Sequence, residues 1–472
     1  SIRNTSGSTI FGGSIGNTTP LQSLSASGDL VFTGNRIETT GAQTFNGVVT
    51  LGGAVGGTTT FKGQGIQFSS SVDGARRFII EDSGNTVFLG SIGNNVAPWH
   101  VETTGAGTTT FSGGSVRTHS SSSIVFGTDV LLSANTTFDT TDNGTFPTGA
   151  NITFGKTING TAGQNPNLML NSGTQGLISV SGAIGDSQAL GSLKIINSNG
   201  ATFSGAVTTV TDVVVTDTAD GKVVRFAGNL NTPTLTTQAG PYAVELLGTT
   251  TQITDANNTA TLANTGALLM SGNLTFVGGL VATAPSTIGL SGTINATDKT
   301  ITLGDTGHDI TLNAALTLNA GTGNVNFNGK VDGAYGLVVN ASGQASFNDV
   351  VGSITPLSSL RMSNTSGTTR FHATGSAATP TVTTTGAQTY DAQTLLATDT
   401  RLSSTNSGTI AFNHTLNGTY ALTLDTAGQV QLNDQVGTTL ATGLASLTLA
   451  NAAGSVQLDN RLGSATVVIN TT

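Results

Sequence analysis

Two groups of ionisable side chains lie close enough in the sequence to suggest a chemical site. The first combines three acids with two cations: Asp212, Asp217, Asp220, Lys222 and Arg225. The second places an imidazole between two carboxylates: Asp305, His308 and Asp309. Carboxylates with a neighbouring cation are the groups that sugar-cleaving enzymes use for acid–base catalysis. Neighbouring acids also arise at solvated turns, so we interpret both groups as exposed corners and assign no catalytic residue.

Three shorter motifs resemble known sites but lack the surroundings that those sites need. Gly12–Gly16 matches G-x-S-x-G, which requires a strand-to-helix turn with a histidine and an acid nearby. Gly149–Thr157 ends in Gly-Lys-Thr like a phosphate-binding loop, but one residue too many separates its glycines and no helical pattern follows. Trp99 with His100 is the only tryptophan site, and one aromatic side chain is a poor platform for a sugar. We therefore expect corner turns at the two glycine motifs and a cap or loop contact at Trp99.

Oxygen-rich corners and threonine-rich segments raise two further alternatives. Asp and Asn side chains suit Ca²⁺, but the glycine–aspartate nonapeptide of calcium-binding β-rolls does not recur, so we expect no obligatory metal or cofactor. Thr58–Thr60 and Thr108–Thr110 resemble the threonine ladders of ice-binding proteins, which need a flat array in register. Because the repeat spacing varies too much for such a lattice, ice binding is the weaker alternative.

The composition favours a thin apolar core that is repeated many times. The chain has 472 residues, of which 64 are Gly, 36% are hydrophobic, 9% are charged and 5% are aromatic. The 25 acids and 16 Lys and Arg residues give a net charge of -9 without a basic stripe, so nucleic acid is not expected as a partner. The lack of cysteine is compatible with secretion. No apolar run is long enough to predict a membrane span in this segment.

Short strands separated by glycine-rich turns are the predicted elements, because no helical apolar stripe persists along the chain. Apolar residues alternate or cluster between Gly, Asn and Asp in several segments: Asp29–Thr33, Thr86–Leu89, Val213–Val215, Thr300–Leu303 and Gln429–Leu432. We expect strands of roughly four to six residues.

An internal repeat keeps its spacing in three copies. Each copy has an apolar residue followed by Asp-Gly or Asn-Gly, then a middle glycine, then a last glycine, and both steps have the same length in all three. The copies run through Val72, Gly84 and Gly93, through Val331, Gly343 and Gly352, and through Leu416, Gly428 and Gly437. A looser fourth copy, through Ile158, Gly176 and Gly185, keeps the second step but lengthens the first one.

The repeat predicts an all-β fold, a parallel β-solenoid of roughly 20 residues per coil and roughly 24 coils. The segment TTGAQTFNG from Thr39 returns as TTGAQTYDA from Thr384, which supports the same scheme. Coils stacked at about 4.8 Å bond each strand to the strands above and below it. We expect nine phenylalanines to stack in the interior: Phe11, Phe32, Phe61, Phe88, Phe111, Phe203, Phe327, Phe347 and Phe412.

The two ends of the sequence resemble interior repeats, and no capping segment is apparent in them. The opening SIRNTSGSTIF is similar to Ser359–Phe371, and the closing RLGSATVVINTT is similar to the start of another repeat. If Thr472 were joined to Ser1, the number of residues from Gly463 to Gly7 would fall within the range found between equivalent glycines of the interior repeats. We hypothesise one continuous solenoid over residues 1–472 that is part of a longer array or stacks head to tail into filaments.

With the GAQTFNG and VDGAYGLVVNASGQASFNDVVG motifs, the whole chain resembles the repetitive regions of large bacterial exoproteins, of the filamentous haemagglutinin and autotransporter adhesin type. That resemblance implies a right-handed parallel β-helix, export from the cell, and a role in adhesion, biofilm matrix or surface fibres. The expected function is therefore a structural, non-enzymatic fibre at the cell surface or outside the cell. Its expected partners are further copies of itself, surface glycans or other cells. A polysaccharide lyase or hydrolase is the alternative, because parallel β-helices include such enzymes.

Overall fold

A parallel β-solenoid of about 20 turns, spaced about 22 residues apart, accounts for the regular structure of the chain. The structure is a computed structural model that describes residues 2–119, 121–363, 366–438, 443–450, 455–458 and 467–469. These residues contain no helix, and strands make up 51% of the chain. The predicted fold class is confirmed, with coils slightly longer than expected. Ser1, Gly463 and Thr472, on which the head-to-tail hypothesis depends, lie outside the described residues.

Residue contacts divide the chain into two units, Ser1–Gly248 and Thr249–Thr472. The first unit contains the strands β1 (Ile2–Phe11), β2 (Leu24–Phe32), β3 (Arg36–Glu38), β4 (Gln43–Phe45), β5 (Val49–Leu51), β6 (Thr58–Gly63), β7 (Ile66–Phe68), β8 (Val72–Asp73), β9 (Arg77–Asp82), β10 (Thr86–Phe88), β11 (His100–Thr104), β12 (Thr108–Phe111), β13 (Gly114–Arg117) and β14 (Ile124–Phe126). It continues with β15 (Asp129–Leu132), β16 (Thr136–Asp139), β17 (Ile152–Phe154), β18 (Ile158–Gly160), β19 (Leu168–Asn171), β20 (Ile178–Val180), β21 (Leu190–Asn197), β22 (Ala201–Phe203), β23 (Val207–Val215), β24 (Val223–Phe226), β25 (Leu230–Thr232), β26 (Thr234–Thr237) and β27 (Ala243–Leu246).

The second unit is built from strands of the same kind. They are β28 (Thr250–Ile253), β29 (Ala260–Thr261), β30 (Leu268–Met270), β31 (Asn273–Phe276), β32 (Leu280–Ala282), β33 (Thr287–Asn295), β34 (Ile301–Leu303), β35 (Asp309–Gly321), β36 (Val325–Phe327), β37 (Val331–Asp332), β38 (Gly336–Ala341), β39 (Gln344–Phe347) and β40 (Ser359–Met362). The remaining strands are β41 (Thr368–Phe371), β42 (Val382–Thr384), β43 (Gln388–Tyr390), β44 (Gln393–Leu396), β45 (Thr400–Ser404), β46 (Ile410–Phe412), β47 (Leu416–Asn417), β48 (Ala421–Thr426), β49 (Val430–Leu432), β50 (Ser446–Ala450), β51 (Val456–Leu458) and β52 (Val467–Ile469).

Each of the five segments that the sequence predicts as strands overlaps a strand of the structure, and these strands are β2, β10, β23, β34 and β49. Many strands are shorter than expected. β4, β7 and β10, for example, have three residues each. Two inward side chains flank one outward side chain in these strands, which is enough to cover one side of a narrow core before the chain turns.

Within each unit the strands form three parallel ladders, because a coil contributes one strand or bridge to each ladder. In the first unit one ladder runs in register through Ile37, Phe61, Ile80, Thr103 and Phe126. In the second unit the ladder through β32, β34, β36, β39, β41 and β44 is equally in register. A ladder strand in the interior of the stack is hydrogen-bonded to the coils before and after it, so few of its backbone groups are left without a partner.

Stacked aromatic rings fill part of this core. Phe45, Phe68, Phe88 and Phe111 form a column with ring centroids 5.1–5.2 Å apart, close to the spacing of neighbouring strands. Eight of the nine phenylalanines predicted to be interior are at most 1% exposed. Phe11 is the exception and is only half-buried, because among the described strands β1 pairs with β2 alone and no coil covers its other side.

The repeat found in the sequence corresponds to a corner that is held from one coil to the next. The Asp73 carboxylate accepts hydrogen bonds from the backbone amides of Asn95 and Val96 at 2.7 and 3.3 Å. Gly93 in turn donates its amide to the Val72 carbonyl at 2.8 Å. Gly74 adopts a φ of +128°, where a side chain would be strained, and an added Cβ would lie 2.3 Å from the Leu51 carbonyl oxygen. We call this arrangement the corner clamp.

The corner clamp recurs in the other three copies. The Asp332 side chain accepts from the amide of Ile354 at 2.8 Å, Asn417 from that of Thr438 at 2.9 Å, and Asn159 from that of Ser187 at 3.1 Å. The apolar residue that begins each copy forms a parallel bridge to the residue just before the last glycine of that copy, as Val72 does to Ile92. The spacing in the sequence therefore reflects a constant physical contact between successive coils.

Candidate functional site

The first group of acids and cations does not assemble into a catalytic cluster. Asp212 is half-buried on β23 and accepts a hydrogen bond from the Ser192 hydroxyl on the preceding coil. Arg225 pairs with Glu245 on the following coil, outside the predicted group. Asp217, Asp220 and Lys222 are exposed, and in the described chain no ion pair joins them to each other. Asp217, Asp220 and Lys222 are exposed residues between strands, as expected, whereas Asp212 and Arg225 lie on the strands β23 and β24 and are not corner residues.

The second group shapes a tight turn. His308 donates its backbone amide to the Asp305 carbonyl at 2.9 Å, and its Nδ1 lies 2.9 Å from the Thr283 carbonyl. The Asp305 carboxylate accepts the Thr306 amide at 2.8 Å. Asp309 begins β35, where its Oδ1 is buried without a hydrogen-bond partner. The Asp305 and His308 side chains therefore engage nearby backbone groups, and the three side chains form no paired set in the described chain.

The first glycine motif is a corner turn, as predicted, whereas the second consists of a short strand with a bend after it. Gly12–Gly16 ends in a turn where Ile15 bridges to Ile37, and no helix follows it. The segment Gly149–Thr157 contains the strand β17 and leads into the strand β18. The Thr157 hydroxyl within it donates to the Asp129 carboxylate at 2.6 Å, which contributes most to lowering the pKa of Asp129.

The threonine-rich runs expose only some of their side chains. In Thr58–Thr60 the middle residue, Thr59, is fully buried, and Thr60 is 7% exposed. In Thr108–Thr110 the middle residue, Thr109, is 1% exposed and its hydroxyl lies 2.8 Å from that of Thr128. Thr59 and Thr109 each lie two residues before an inward phenylalanine and point into the core, and Thr60 is also covered, so the runs are not continuous threonine surfaces.

Trp99 is part of a stack of three rings from successive coils. The residue lies at the bend before β11, which agrees with the expected loop contact. Its indole stacks on the His119 imidazole with centroids 4.9 Å apart and planes within 8°. The ring centroids of His119 and Phe146 are 4.4 Å apart, with the two planes tilted by 51°. The His119 amide donates to the Pro98 carbonyl at 2.8 Å, which places its ring against Trp99. The indole is 37% exposed and is held by its neighbours.

A cleft of about 200 Å³ lies beside this ring stack. It is lined by Gly56, Arg77, Trp99, His100 and the serines at positions 121–123, and we call it the Trp99 cleft. His100 is held in place because its Nε2 lies 3.1 Å from Glu102 and its Nδ1 lies 3.2 Å from the Ser123 hydroxyl. The cleft therefore combines an aromatic face with fixed polar groups, which is the general composition of a ligand site.

Arg77 lines the Trp99 cleft and Arg76 precedes it in the sequence, while the Glu102 carboxylate beside the cleft is held 3.1 Å from His100 Nε2. Arg77 is exposed at the start of β9, and no ion pair or side-chain hydrogen bond engages its guanidinium in the described chain. Arg76 is 3% exposed, and its guanidinium donates to the carbonyls of Gly52 and Thr58 and to Asn35 at 2.7–3.0 Å, without a carboxylate. Burial lowers the pKa of Arg76. Arg76 and Arg77 are adjacent in the sequence, and neither guanidinium pairs with a carboxylate in the described chain, although the net charge of the chain is -9.

Sequence reasoning identified Trp99 and His100 but missed the rest of the site. His119 follows Trp99, and Phe146 follows His119, at separations that are each close to one coil. A search for aromatic residues at coil spacing is therefore the signal that could have found the stack. No local motif marks the cleft itself.

Comparison of the chain with protein-family models, with curated proteins and with solved structures found no match. None of the described residues forms a helix long and apolar enough to cross a membrane. Among the same residues, no three His, Asp or Glu side chains lie together as metal ligands would. The structural assignment of the chain is therefore a β-helical repeat protein.

Proposed function

We propose that the chain is a load-bearing segment of a fibre at the cell surface or in the extracellular matrix, where it joins cells or surfaces. The observation that carries this proposal is the hydrogen bonding of successive coils through three ladders within each unit. These bonds point along the direction in which coils stack, so a pull in that direction is shared by three strands at each step. In this proposal the chain catalyses no reaction.

Two further features support the proposal. Side chains that point outward are mainly small and polar, as Thr44, Gln67 and Thr110 are, so each coil presents a hydrated surface while its inward residues stack. The repeat style resembles that of large exported adhesins, which favours an extracellular location. End-to-end association with further copies of the chain and contact with glycans or other cells belong to the same proposal.

Single-molecule pulling tests the load-bearing role. A coil of about 22 residues should release roughly 70–80 Å of extended chain when it unravels, less the small distance it spanned in the stack. We expect a series of force peaks with that increment. Phe88→Ala should lower the force for its own coil, whereas Leu89→Ala, at the adjacent 46% exposed position, should not. Extension without resistance, or one peak for the whole chain, would overturn the proposal.

Electron microscopy of the concentrated chain tests the fibre. Filaments with a repeat of about 4.8 Å along their length are expected if copies stack coil on coil. Particles that stay single at every concentration would contradict self-association and leave only a monomeric scaffold.

A further inference from the structure

The Trp99 cleft contains groups that the proposed structural role does not use. The Phe columns and corner clamps need no exposed indole, and Arg77 makes no ion pair that stabilises a coil in the described chain. Ser121 also lines the cleft with a left-handed φ of +62°, which strains a residue that has a side chain. Its hydroxyl is exposed and has no hydrogen-bond partner among the described residues. Strain and unused polar groups at one cleft are typical of a binding site.

We propose that the Trp99 cleft binds a uronic-acid residue of an acidic polysaccharide, with the sugar ring against the Trp99 indole and its carboxylate on Arg77. This inference rests on the glycan contact in the proposed function and names its ligand class, and its binding test can fail separately from the pulling and filament tests.

The indole suits a sugar ring for a physical reason. The C–H groups on one side of a pyranose ring form a weakly positive apolar face, and the face of an aromatic ring is negative. His119 stacks on one face of the indole, and in the described chain no ring covers the other. A cleft of about 200 Å³ suits one sugar ring better than a drug-sized ligand, whose clefts measure roughly 300–1,000 Å³.

The charges of the cleft favour an acidic sugar over a neutral one. The planar guanidinium of Arg77 can donate two parallel hydrogen bonds to a carboxylate. Arg76 adds a second positive charge, and its guanidinium lies 3.2 Å from the position of a Cβ at Gly57, next to the Gly56 wall of the cleft. The exposed Ser121 hydroxyl can exchange hydrogen bonds with sugar hydroxyls. A neutral sugar would leave the Arg77 charge without a partner.

The site can be tested by fluorescence because Trp99 is the only tryptophan in the chain. The full chain is titrated with tetragalacturonate, with neutral maltotetraose and with inorganic sulfate. We expect tetragalacturonate to shift the emission of Trp99 in a saturable way, and maltotetraose to leave it unchanged. Since the net charge of the chain is -9, a general attraction of anions to the protein would not produce this result.

Two variants locate the binding. Arg77→Gln removes an exposed cation without ion pairs in the described chain, so the fold should persist while the affinity for tetragalacturonate falls at least ten-fold. Lys222→Gln removes an exposed cation elsewhere in the same unit and should leave the affinity within two-fold. Trp99→Ala, followed by calorimetry because its fluorescence is lost, should also abolish binding.

Three results would overturn the proposal. One is equal binding of tetragalacturonate and maltotetraose, which would remove the role of the carboxylate. Another is an equal loss of affinity in Arg77→Gln and Lys222→Gln, which would indicate a diffuse charge effect. The third is displacement of tetragalacturonate by sulfate at the same concentration, which would make the cleft a general anion site.

Discussion

Tyr390 and Phe45 occupy matching positions in the two copies of the TTGAQT motif, and they differ by one buried hydroxyl. In both copies the glutamine is fully buried, and its Nε2 donates to a threonine hydroxyl at 3.2 Å. The Tyr390 hydroxyl donates to Gln388 Oε1 at 2.9 Å. In the other copy Phe45 offers no donor, and Gln43 Oε1 is buried without a hydrogen-bond partner. We therefore expect reciprocal substitutions to change stability in opposite directions.

Tyr390→Phe should destabilise its coil by about 1–2 kcal/mol, because it leaves Gln388 Oε1 buried and unpaired. Phe45→Tyr should stabilise its coil by about 0.5–1.5 kcal/mol, the usual net value of one hydrogen bond made on folding. Burial raises the pKa of Tyr390 far above its ordinary value, so the hydroxyl remains a proton donor under any practical condition. Both rings stack on neighbouring phenylalanines, and neither substitution changes the ring itself.

Local hydrogen exchange is the appropriate assay, because repeat arrays need not unfold in one step. Amides of β43 should exchange about 5- to 30-fold faster in Tyr390→Phe, as a loss of about 1–2 kcal/mol implies. Tyr420→Phe is the matched control, since Tyr420 is 39% exposed and should give no change. The reasoning fails if Tyr390→Phe exchanges within two-fold of the wild type, or if Phe45→Tyr speeds exchange in β4.

Three further tests address the corner clamp, the core and the effect of pH. Asp73→Ala should speed exchange of the Asn95 amide at least ten-fold, whereas Asp73→Asn should preserve protection because two copies of the clamp use asparagine. Phe88→Ala should cost about 3–5 kcal/mol by denaturant titration, against about 0.5 kcal/mol or less for the exposed Leu89→Ala. The pKa of Asp129 is lowered in the folded state, so its stabilising effect is complete above the ordinary pKa of about 3.8 and is lost as pH falls below it. Asp129→Asn should remove this acid-dependent loss, measured by hydrogen exchange of its coil.

The repeat and the strands could be predicted from the sequence because their determinants are local. A corner clamp begins with three adjacent residues such as Val72-Asp73-Gly74, and the last glycine of the copy follows at a constant step. Inward and outward residues alternate within each strand, so apolar residues identify the core directly. Phe11, predicted as an interior stacking residue, lies in register with Phe32 but is only half-buried, because burial depends on how many coils cover the ring and no local pattern encodes that number.

The candidate site could not be predicted in the same way, because its residues come from different coils and are far apart in the sequence. Asp217 and Lys222 are close in the chain, yet a turn exposes both of them to solvent. Trp99 and His119 are about one coil apart, yet their rings stack, because a coil returns the chain to the same side of the core. In a solenoid, side chains that are one coil apart in the sequence come into contact. A local cluster of acids is therefore a poor predictor of a catalytic site, and contacts between aromatic residues one coil apart are missed.

The corner clamp also explains how the repeat tolerates changes in length. In the fourth copy the step from Ile158 to the middle glycine, Gly176, is longer than the corresponding step in the other copies. The additional residues lie in the loop that follows Gly160 and in the turn that precedes Gly176, while Asn159 still accepts the Ser187 amide and Ile158 still bridges to Ile184. Loop length adds little to the free energy of closing a coil, but losing a buried hydrogen-bond acceptor is costly. Coil length can therefore vary as long as the clamp residue and the inward apolar residues are retained.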